Sequence, residues 1–265
     1  MRAVAWRTEG STREAADSGG AWFRRMQVVD VRGEATVRTP KTDESALIIL
    51  GGTFDLSAGS GSWAQRGLRA TPFDGRPCAL YLPPDTPLRA VGTGELLLVG
   101  CRRPELPPTT DAPPQMRPLL ALSGSGKAYD ARTGAWELLE RFPSAPEAVL
   151  PRAIARVDLD GTMVERIFAS AFKALALRVD EAVIAAGSTF EARADAGAVP
   201  VDADLAVFVR APGGAQVHAN DLTHTVDGDA VFVASATSTV RLTAGRLAAY
   251  AVCAWAWPKA APQKA

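Results

Sequence analysis

The chain lacks the features that mark several common classes of protein. Its 265 residues carry 29 basic and 29 acidic side chains, so the formal net charge is zero. No run of Lys and Arg forms a basic stripe, and the electrostatic footprint of a nucleic-acid-binding protein is missing. No stretch approaches the roughly 18 apolar residues that a membrane span needs, and the N-terminus has no apolar segment of signal-peptide length. We therefore expect neither nucleic acid nor a membrane as partner.

Cysteine and histidine are also scarce. Cys78, Cys101 and Cys253 are far apart and form no CxxC pair, which argues against a disulfide framework or a zinc site. Free thiols in apolar strands usually behave as small hydrophobic groups, so we expect a reducing cytoplasm. The chain has two histidines, His218 and His224, and no His-x-His pair. We predict no metal and no cofactor, with a weakly bound divalent ion as the alternative.

Alternating apolar and polar residues dominate what is present, most clearly between residues 46 and 104. The segments ALIILGGTFDLSAG, CALYLPPDTPLRAVG and GELLLVGCRRP end in Gly, Pro or Asp, which is typical of half-buried antiparallel strands. In one of them, Leu80 and Leu82 would share one face of a strand, and Ala79 and Tyr81 the other. Short strands of this kind need to close into a sandwich or barrel, so the sequence predicts an all-β fold.

A proline-rich segment, PELPPTTDAPPQMRP at residues 104–118, separates two halves of the chain. Such a segment cannot form a helix or a central strand. We predict an N-terminal barrel at 1–106, a connection at 107–150 and a C-terminal barrel at 151–265. Before the first cluster of strands, the segment 21–38 suggests two strands around a turn at Arg32-Gly33.

The two halves repeat the same order of turns and strands. Ala79–Leu82 matches Ala230–Val233, and Gly51-Gly52 matches Gly213-Gly214. The matched positions also include three further pairs of segments: Phe73-Asp74-Gly75 with Val226-Asp227-Gly228, Arg89 with Arg241, and Gly94-Glu95-Leu96 with Gly245-Arg246-Leu247. The repeat predicts two tandem barrels of similar topology.

The segments GGTFDLSA, FDGRPCALYLPPDTPLRA, ELLLVGCRRPE and VDGDAVFVASATSTV resemble the bicupin isomerases of inositol and uronate catabolism. These are the 5-deoxy-glucuronate and 5-keto-4-deoxyuronate isomerases, the IolB/KduI family. The resemblance implies two cupin jelly-roll barrels and a divalent metal in the second barrel, held by a His-x-His pair, a Glu and a further His. The last of these histidines is replaced here by Ser238, and residues 187–217 contain no histidine. The resemblance therefore implies the fold together with an altered metal site.

Several residues of the second half are candidates for chemistry. His218, His224 and Glu191 are the predicted catalytic residues, because imidazole and carboxylate groups can exchange protons with a substrate. Arginines that face into a barrel can clamp a sugar carboxylate, and a hydroxyl can hydrogen-bond a sugar. The predicted substrate-binding residues are Arg193, Arg178, Arg210 and Ser238. The alternative places the histidines in a loop near an Asn/Asp turn and the charged residues on the outer face of the sheet.

Three functions remain open at this point. The first is an isomerase that interconverts an aldose and a ketose form of a sugar acid. The second is a metal-free bicupin that binds a small sugar acid as a sensor or accessory protein. The third is a scaffold whose barrels mainly associate, since cupins commonly pair through exposed strands; in each case we expect a homodimer.

Overall fold

A computed structural model describes residues 1–16, 22–102, 127–130, 135–138, 147–149, 152–157, 162–167, 177–192 and 202–257. For the strands between residues 127 and 157, and for Arg166, the description covers the backbone alone. The described residues form strands and turns without a helix, and so contain no helix able to cross a membrane. The predicted all-β class is confirmed.

The strands divide between the two halves of the chain. The first eight are β1 (Arg2–Val4), β2 (Arg7–Glu9), β3 (Thr12–Ala16), β4 (Phe23–Arg38), β5 (Asp43–Ala58), β6 (Gly61–Arg69), β7 (Ala79–Leu82) and β8 (Pro87–Arg102). The next five are β9 (Lys127–Asp130), β10 (Ala135–Leu138), β11 (Glu147–Val149), β12 (Arg152–Val157) and β13 (Thr162–Arg166). The last six are β14 (Leu177–Ile184), β15 (Thr189–Ala192), β16 (Asp204–Ala219), β17 (Leu222–Ser235), β18 (Val240–Ala244) and β19 (Ala249–Ala256).

Two large antiparallel sheets each roll into a barrel because their long strands change partners partway along. In the C-terminal sheet, β16 pairs with β19 at residues 204–210 and with β18 at residues 215–219, while β17 follows it on the other edge. In the N-terminal sheet, β5 pairs with β7 and then with β6, while β8 follows its other edge. A strand that belongs to two layers in turn closes a jelly-roll sandwich.

The structure confirms the internal repeat at the glycines that the sequence matched. Gly52 lies opposite Gly94 in the β5–β8 ladder, and a Cβ on Gly94 would lie 2.1 Å from the Gly51 carbonyl oxygen. In the second half, the Gly245 N–H donates to the Gly214 carbonyl at 2.8 Å, and a Cβ on Gly245 would lie 2.5 Å from the Gly213 oxygen. Both barrels therefore bring two backbones together at a place where side chains do not fit.

The turn predicted at Arg32-Gly33 is wrong, because β4 runs unbroken from Phe23 to Arg38. Gly33 has a φ of 104° and lies opposite Gly92, so the strand bends at a glycine without leaving the ladder. The corresponding part of the second half is divided, since β14 and β15 are separated by a turn with Gly187 at a φ of 74°. The first half therefore has one continuous strand where the second half has two strands separated by a turn.

The predicted alternation in β7 is confirmed, but the strand is buried on both faces rather than one. Leu80 and Leu82 belong to the apolar interior of the N-terminal barrel. Ala79 and Tyr81 belong to a second core that includes Val179 and other residues of the C-terminal half. The two barrels therefore pack against each other through an apolar layer, which is why strands that alternate in sequence carry no exposed face here.

Short strands also pass between the halves. β1 pairs with β17 of the C-terminal sheet, and β11 pairs with β7 of the N-terminal sheet. The two additions lie at equivalent places in the repeat, because β7 and β17 are matched strands. Each sheet therefore includes one short edge strand that is distant in sequence from its other strands. The limits of the two barrels predicted from the sequence stay a prediction.

A buried ion pair joins the barrels at their interface. Arg69 of β6 donates from Nη1 and Nη2 to the two carboxylate oxygens of Glu181 in β14, at 2.8 and 3.1 Å. The Tyr250 hydroxyl donates to Glu181 at 2.8 Å, and Arg69 Nε donates to the Ile49 carbonyl at 2.8 Å. Arg69 and Glu181 are 4% and 3% exposed, so this pair is cut off from solvent screening.

Candidate functional site

The interiors of the two barrels differ in chemistry. The N-terminal barrel is filled by large aliphatic and aromatic side chains, among them Leu47, Ile49, Phe54, Leu56, Leu80, Leu82, Leu96 and Leu98. The C-terminal interior is lined largely by alanine and valine, and the small residues include Ala182, Ala211, Ala215, Ala219, Ala244, Ala249 and Ala251. Buried polar atoms without a hydrogen-bond partner among the described residues occur in both interiors, on Gln27 and Ser45 in the first and on Trp255 in the second. The second interior, with its smaller side chains and its buried charges, is the place where we look for a ligand site.

Arg178 and Asp180 bring charge into that interior. Both alternate along β14 with Leu177 and Val179 of the inter-barrel core, and so share the inner face with Ala182. Arg178 donates from Nε and Nη2 to Asp180 Oδ2 at 3.2 and 2.7 Å. The two residues are 7% and 3% exposed. Arg178 therefore faces the interior, and its role in substrate binding stays a prediction.

Trp255 completes this group, which we call the Arg178 cluster and define as Arg178, Asp180 and Trp255. Trp255 lies opposite Arg178 in the β14–β19 ladder, and the guanidinium carbon lies 4.8 Å from the centre of the indole. The indole is 1% exposed, and within the described part of the chain its Nε1 has no hydrogen-bond partner. A buried indole N–H normally finds an acceptor, so this donor is available to a ligand.

Cys253 lies next to the Arg178 cluster, opposite Asp180 in the ladder. Burial raises the pKa of the Cys253 thiol, and the Asp180 carboxylate raises it further. The thiol therefore stays protonated at neutral pH and is a poor nucleophile. Cys78, Cys101 and Cys253 are all free, and the latter two are buried as the sequence suggested.

His218 and His224 lie in strands on either side of a tight hairpin, and not in a loop. His224 lies opposite Val217, which lines the C-terminal interior, and its ring is 5.3 Å from that of Phe232. His218 follows Val217 in β16 and therefore faces outward, where its Nδ1 is 2.8 Å from the Thr223 hydroxyl. The structure therefore does not bring the two imidazoles together.

Glu191 and Ser238 lie away from the interior. Glu191 alternates with Phe190 and Ala192 of the core, and on the outer face it lies 3.5 Å from Arg241. Ser238 lies in the turn between β17 and β18, where its N–H donates to the Ser235 carbonyl at 2.9 Å. Arg193 lies outside the described residues. Glu191 thus follows the alternative in which the charged group faces outward.

Arg210 faces the other barrel, and so the structure does not place it with the Arg178 cluster. It donates from Nε and Nη2 to Asp229 at 2.8 Å each, and from Nη1 to Glu95 at 2.5 Å. Arg13 joins the same carboxylates, 2.9 Å from Asp229. Burial alone would lower the pKa of Arg210, but the bonds to Asp229 and Glu95 raise it overall. Arg210 is a link between the halves.

A divalent metal does not fit the residues that the structure describes in the second barrel. Three or more His, Cys, Asp or Glu side chains placed to hold an ion do not occur together in the described ranges. His224 is the one imidazole that faces the interior, since His218 points outward, and Asp180 is already bonded to Arg178. Zinc-like and manganese-like centres need three or four ligands at one point. We derive no chemistry through a metal here.

Sequence reasoning found Arg178 and missed its neighbours. Trp255 and Trp257 alternate in sequence with Ala256, and both contact the C-terminal interior. The available signal was the pair of charges in the apolar strand LRVDEAVI, where Arg178 and Asp180 are two residues apart and must share a face. What no sequence pattern shows is that β19 places an indole opposite that pair.

Comparison with known proteins supports the fold and the family. Residues 11–127 match the model of the KduI/IolB family. A search of curated proteins finds no match. Among solved structures, an IolB-like protein from Salmonella typhimurium LT2 is 15% identical, with a TM-score of 0.60 over 89% of this chain and 84% of that chain. This match extends over both halves of the chain.

Two other structures show the same architecture. The oxalate decarboxylase of Lactobacillus farciminis, solved as a formate complex, is 13% identical, with a TM-score of 0.57 over 96% of this chain and 84% of that chain. AerE from Microcystis aeruginosa is 7% identical, with a TM-score of 0.57 over 96% of this chain and 98% of that chain. At such identities the likeness shows the fold alone, which is that of two cupin barrels. Together with the match over residues 11–127, it shows a bicupin that resembles the KduI/IolB family.

Proposed function

We propose that this bicupin binds a small sugar acid inside its C-terminal barrel, with the Arg178 cluster as the carboxylate-binding end of the site. The observation that carries the proposal is the buried indole N–H of Trp255, which has no acceptor among the described residues and stands beside the guanidinium of Arg178. The match of residues 11–127 to the KduI/IolB family supports the substrate class, because the resemblance to the sugar-acid isomerases of that family implies a sugar acid.

The chemistry of the cluster suits an anion with a neutral, hydroxylated body. A guanidinium recognises a carboxylate by two parallel N–H bonds, and such charge-assisted bonds are about twice as strong as neutral ones. Asp180 holds the guanidinium by two bonds from Nε and Nη2, which fixes its direction before a ligand arrives. The indole adds a neutral donor that suits a carboxylate or hydroxyl oxygen. Beyond the cluster, the interior is lined mostly by the small side chains of alanine and valine.

Calorimetric titration with D-glucuronate and D-glucose tests this proposal. We expect the wild-type protein to bind D-glucuronate and to ignore D-glucose, which lacks the carboxylate. Trp255→Phe keeps an aromatic ring against Arg178 but removes the N–H donor, so we expect Kd to rise about tenfold, which corresponds to about 1.4 kcal/mol. Trp63→Phe is the matched control, because Trp63 packs against the N-terminal interior. Equal weakening by both variants, or no binding by the wild type, would refute the proposal.

Removal of metal should leave this binding unchanged. Because the described residues of the second barrel offer no ligand set, dialysis against EDTA should change Kd for D-glucuronate by less than a factor of two. The measurement is a titration of the protein before and after chelation, with metal content followed by mass spectrometry. Loss of binding on chelation, restored by Mn²⁺ or Zn²⁺, would contradict a metal-free site.

An aldose–ketose isomerase is the second candidate, and the inward direction of His224 favours it. An imidazole at the interior could carry a proton between neighbouring carbons of a bound sugar acid. Proton NMR of D-glucuronate incubated with the protein would detect conversion to the ketose. If it occurs, we expect His224→Gln to abolish it and His218→Gln, on the outer face, to leave the rate within a factor of two. Equal effects of the two variants would remove His224 from any such role.

A further inference from the structure

Three polar side chains face the interior of the N-terminal barrel at one of its ends. Gln27 of β4 lies opposite Leu98, which belongs to that interior, and Arg25 is two residues before Gln27 on the same strand. Ser45 of β5 alternates with Leu47, another residue of the interior. Because residues two apart on a strand share a face, Arg25, Gln27 and Ser45 all point toward the inside of this barrel.

Each of the three side chains has a buried polar atom that makes no hydrogen bond within the described ranges. These atoms are Arg25 Nη2, Gln27 Oε1 and Ser45 Oγ, and Ser45 as a whole is 1% exposed. Buried polar atoms are normally hydrogen-bonded, so three of them on one face are available to a ligand. They offer two donors, the guanidinium and the hydroxyl, and one amide acceptor.

A glycine lies between the arginine and the serine. Gly100 of β8 is opposite Arg25 in one ladder and opposite Ser45 in the other. A Cβ on Gly100 would lie 3.3 Å from Arg25 Cγ and 3.4 Å from Ser45 Oγ. The two polar side chains therefore meet over a position that has no side chain of its own.

The repeat relates this group to the Arg178 cluster. Arg25, Gly100 and Ser45 form a row across β4, β8 and β5, near the start of β5. In the second half, Arg178 and Trp255 lie in the corresponding row across β14, β19 and β16, near the start of β16. Both barrels thus carry an inward arginine at the same end, and the first has a glycine where the second has an indole.

The donors and the acceptor suit a ligand with two adjacent polar groups. A carboxylate accepts from a guanidinium and from a hydroxyl, and a neighbouring hydroxyl of the ligand can donate to the Gln27 amide oxygen. The ion pair of Arg25 with Glu14 is long, at 3.5 Å from Nη1, against about 2.7–2.9 Å for a strong charge-assisted bond. The guanidinium can therefore gain from a closer anion.

We propose that this end of the N-terminal barrel binds a small 2-hydroxy carboxylate, with the carboxylate at Arg25 and Ser45 and the hydroxyl at Gln27. The rest of the interior is filled by large aliphatic and aromatic side chains, which limits the ligand to a small one. Arg25 has a side chain that is 17% exposed, so the site reaches solvent on that side. The site is separate from the Arg178 cluster and goes beyond the proposed function.

Calorimetric titration with three small probes tests the two polar groups separately. Glycolate has a carboxylate and an adjacent hydroxyl, acetate has the carboxylate alone, and ethylene glycol has hydroxyls alone. We expect glycolate to bind and acetate to bind about tenfold more weakly, because acetate leaves the Gln27 oxygen without a donor. Ethylene glycol should give no measurable binding. Absence of glycolate binding, or equal affinity for glycolate and acetate, would refute the proposed site.

Two variants locate the ligand within the barrel. Gln27→Leu removes the acceptor, so glycolate should bind as weakly as acetate does, while the Kd of acetate stays the same. Gly100→Ala adds a methyl group between Arg25 and Ser45, so we expect it to weaken both ligands about tenfold. Arg32→Gln is the control on the same strand, because the Arg32 side chain is 84% exposed, and it should change neither Kd. Thermal unfolding checks that each variant is folded, and the comparison of probes on the wild type does not depend on them.

Trp255→Phe separates this site from the Arg178 cluster. We expect this variant to bind glycolate as the wild type does, and Gly100→Ala to bind D-glucuronate as the wild type does. If glycolate binding is lost in Trp255→Phe and survives in Gln27→Leu and Gly100→Ala, the site in the N-terminal barrel is refuted and the Arg178 site stands. If glycolate binds as expected and D-glucuronate does not bind, the proposed function falls and the site in the N-terminal barrel stands.

Discussion

Replacing Arg69 with methionine is expected to lower the free energy of unfolding by about 3–5 kcal/mol, because Glu181 is then left buried without a cation. The pair is 4% and 3% exposed and lies between the barrels, so water cannot replace the lost partner. Urea unfolding followed by circular dichroism measures the change. Arg66→Met is the matched control on the same strand, since Arg66 is exposed, and should shift stability by no more than about 0.5 kcal/mol.

A double variant separates the ion pair from simple packing at this place. In Arg69→Met with Glu181→Leu, no charge is left buried, so we expect a smaller loss than in Arg69→Met alone. The Tyr250 hydroxyl then loses its acceptor, which keeps the double variant below the wild type by about 1–3 kcal/mol. A double variant less stable than the single one would show that the pair is not what holds this interface.

The loss caused by Arg69→Met should also depend on pH. Burial raises the pKa of Glu181 in the wild type, against the lowering effect of Arg69 and Tyr250. Without Arg69 that pKa rises further above its unfolded value, so the folded variant favours the neutral carboxyl. Stability is then largest below the unfolded pKa and falls as pH rises through the range up to the folded pKa. We expect a smaller loss at pH 5 than at pH 8, and a loss that grows toward acid would contradict this.

Substituting Gly94 by alanine should cost about 2–6 kcal/mol, or prevent folding of the N-terminal barrel. Its φ of 144° is one that other residues rarely adopt, and the added Cβ would lie 2.1 Å from the Gly51 oxygen. Backbone strain contributes about 1–3 kcal/mol. The overlap with backbone that cannot move freely contributes a further 1–3 kcal/mol, as for an overpacked core.

A substitution at a second glycine separates the effect of the steric overlap from the effect of backbone strain. Gly75 has a φ of 75°, yet a Cβ there would meet nothing within 4 Å. Gly75→Ala should therefore cost only about 1 kcal/mol by strain alone. Gly245→Ala tests the repeat, because that residue meets the Gly213 oxygen at 2.5 Å in the other barrel. In thermal unfolding, the Gly94→Ala and Gly245→Ala variants should lose much more stability than the Gly75→Ala variant. Equal losses of stability in the three variants would contradict a structural role for the matched glycines.

The fold could be predicted from the sequence because strands and turns have local sequence patterns. Alternation placed Leu80 and Leu82 on one face, and the matched glycines predicted a duplication that the ladders confirm. The turn predicted at Arg32-Gly33 is wrong, since a glycine gives the same local signal in a turn and inside a continuous strand. The burial of both faces was also missed, because packing between barrels depends on residues far apart in the chain.

The site was only partly predictable, for a reason of the same kind. Arg178 was a reasonable choice, since a charge in an apolar strand has to face a partner or a ligand. Arg210 has the same local pattern but alternates onto the opposite face, where it binds Asp229 and Glu95. A shift of one residue decides between the barrel interior and the inter-barrel layer, and only the register of the strands fixes it. The same rule separates His224 from His218.

The indole N–H of Trp255 is the most direct probe of the ligand site. In a nitrogen–proton correlation spectrum, its signal is assigned by its absence in Trp255→Phe, and D-glucuronate is then added. The signal should move with the concentration of sugar acid, while the indole signal of Trp63 in the other barrel stays in place. A ligand that binds by calorimetry and leaves the Trp255 signal unmoved would show that the sugar acid is held elsewhere.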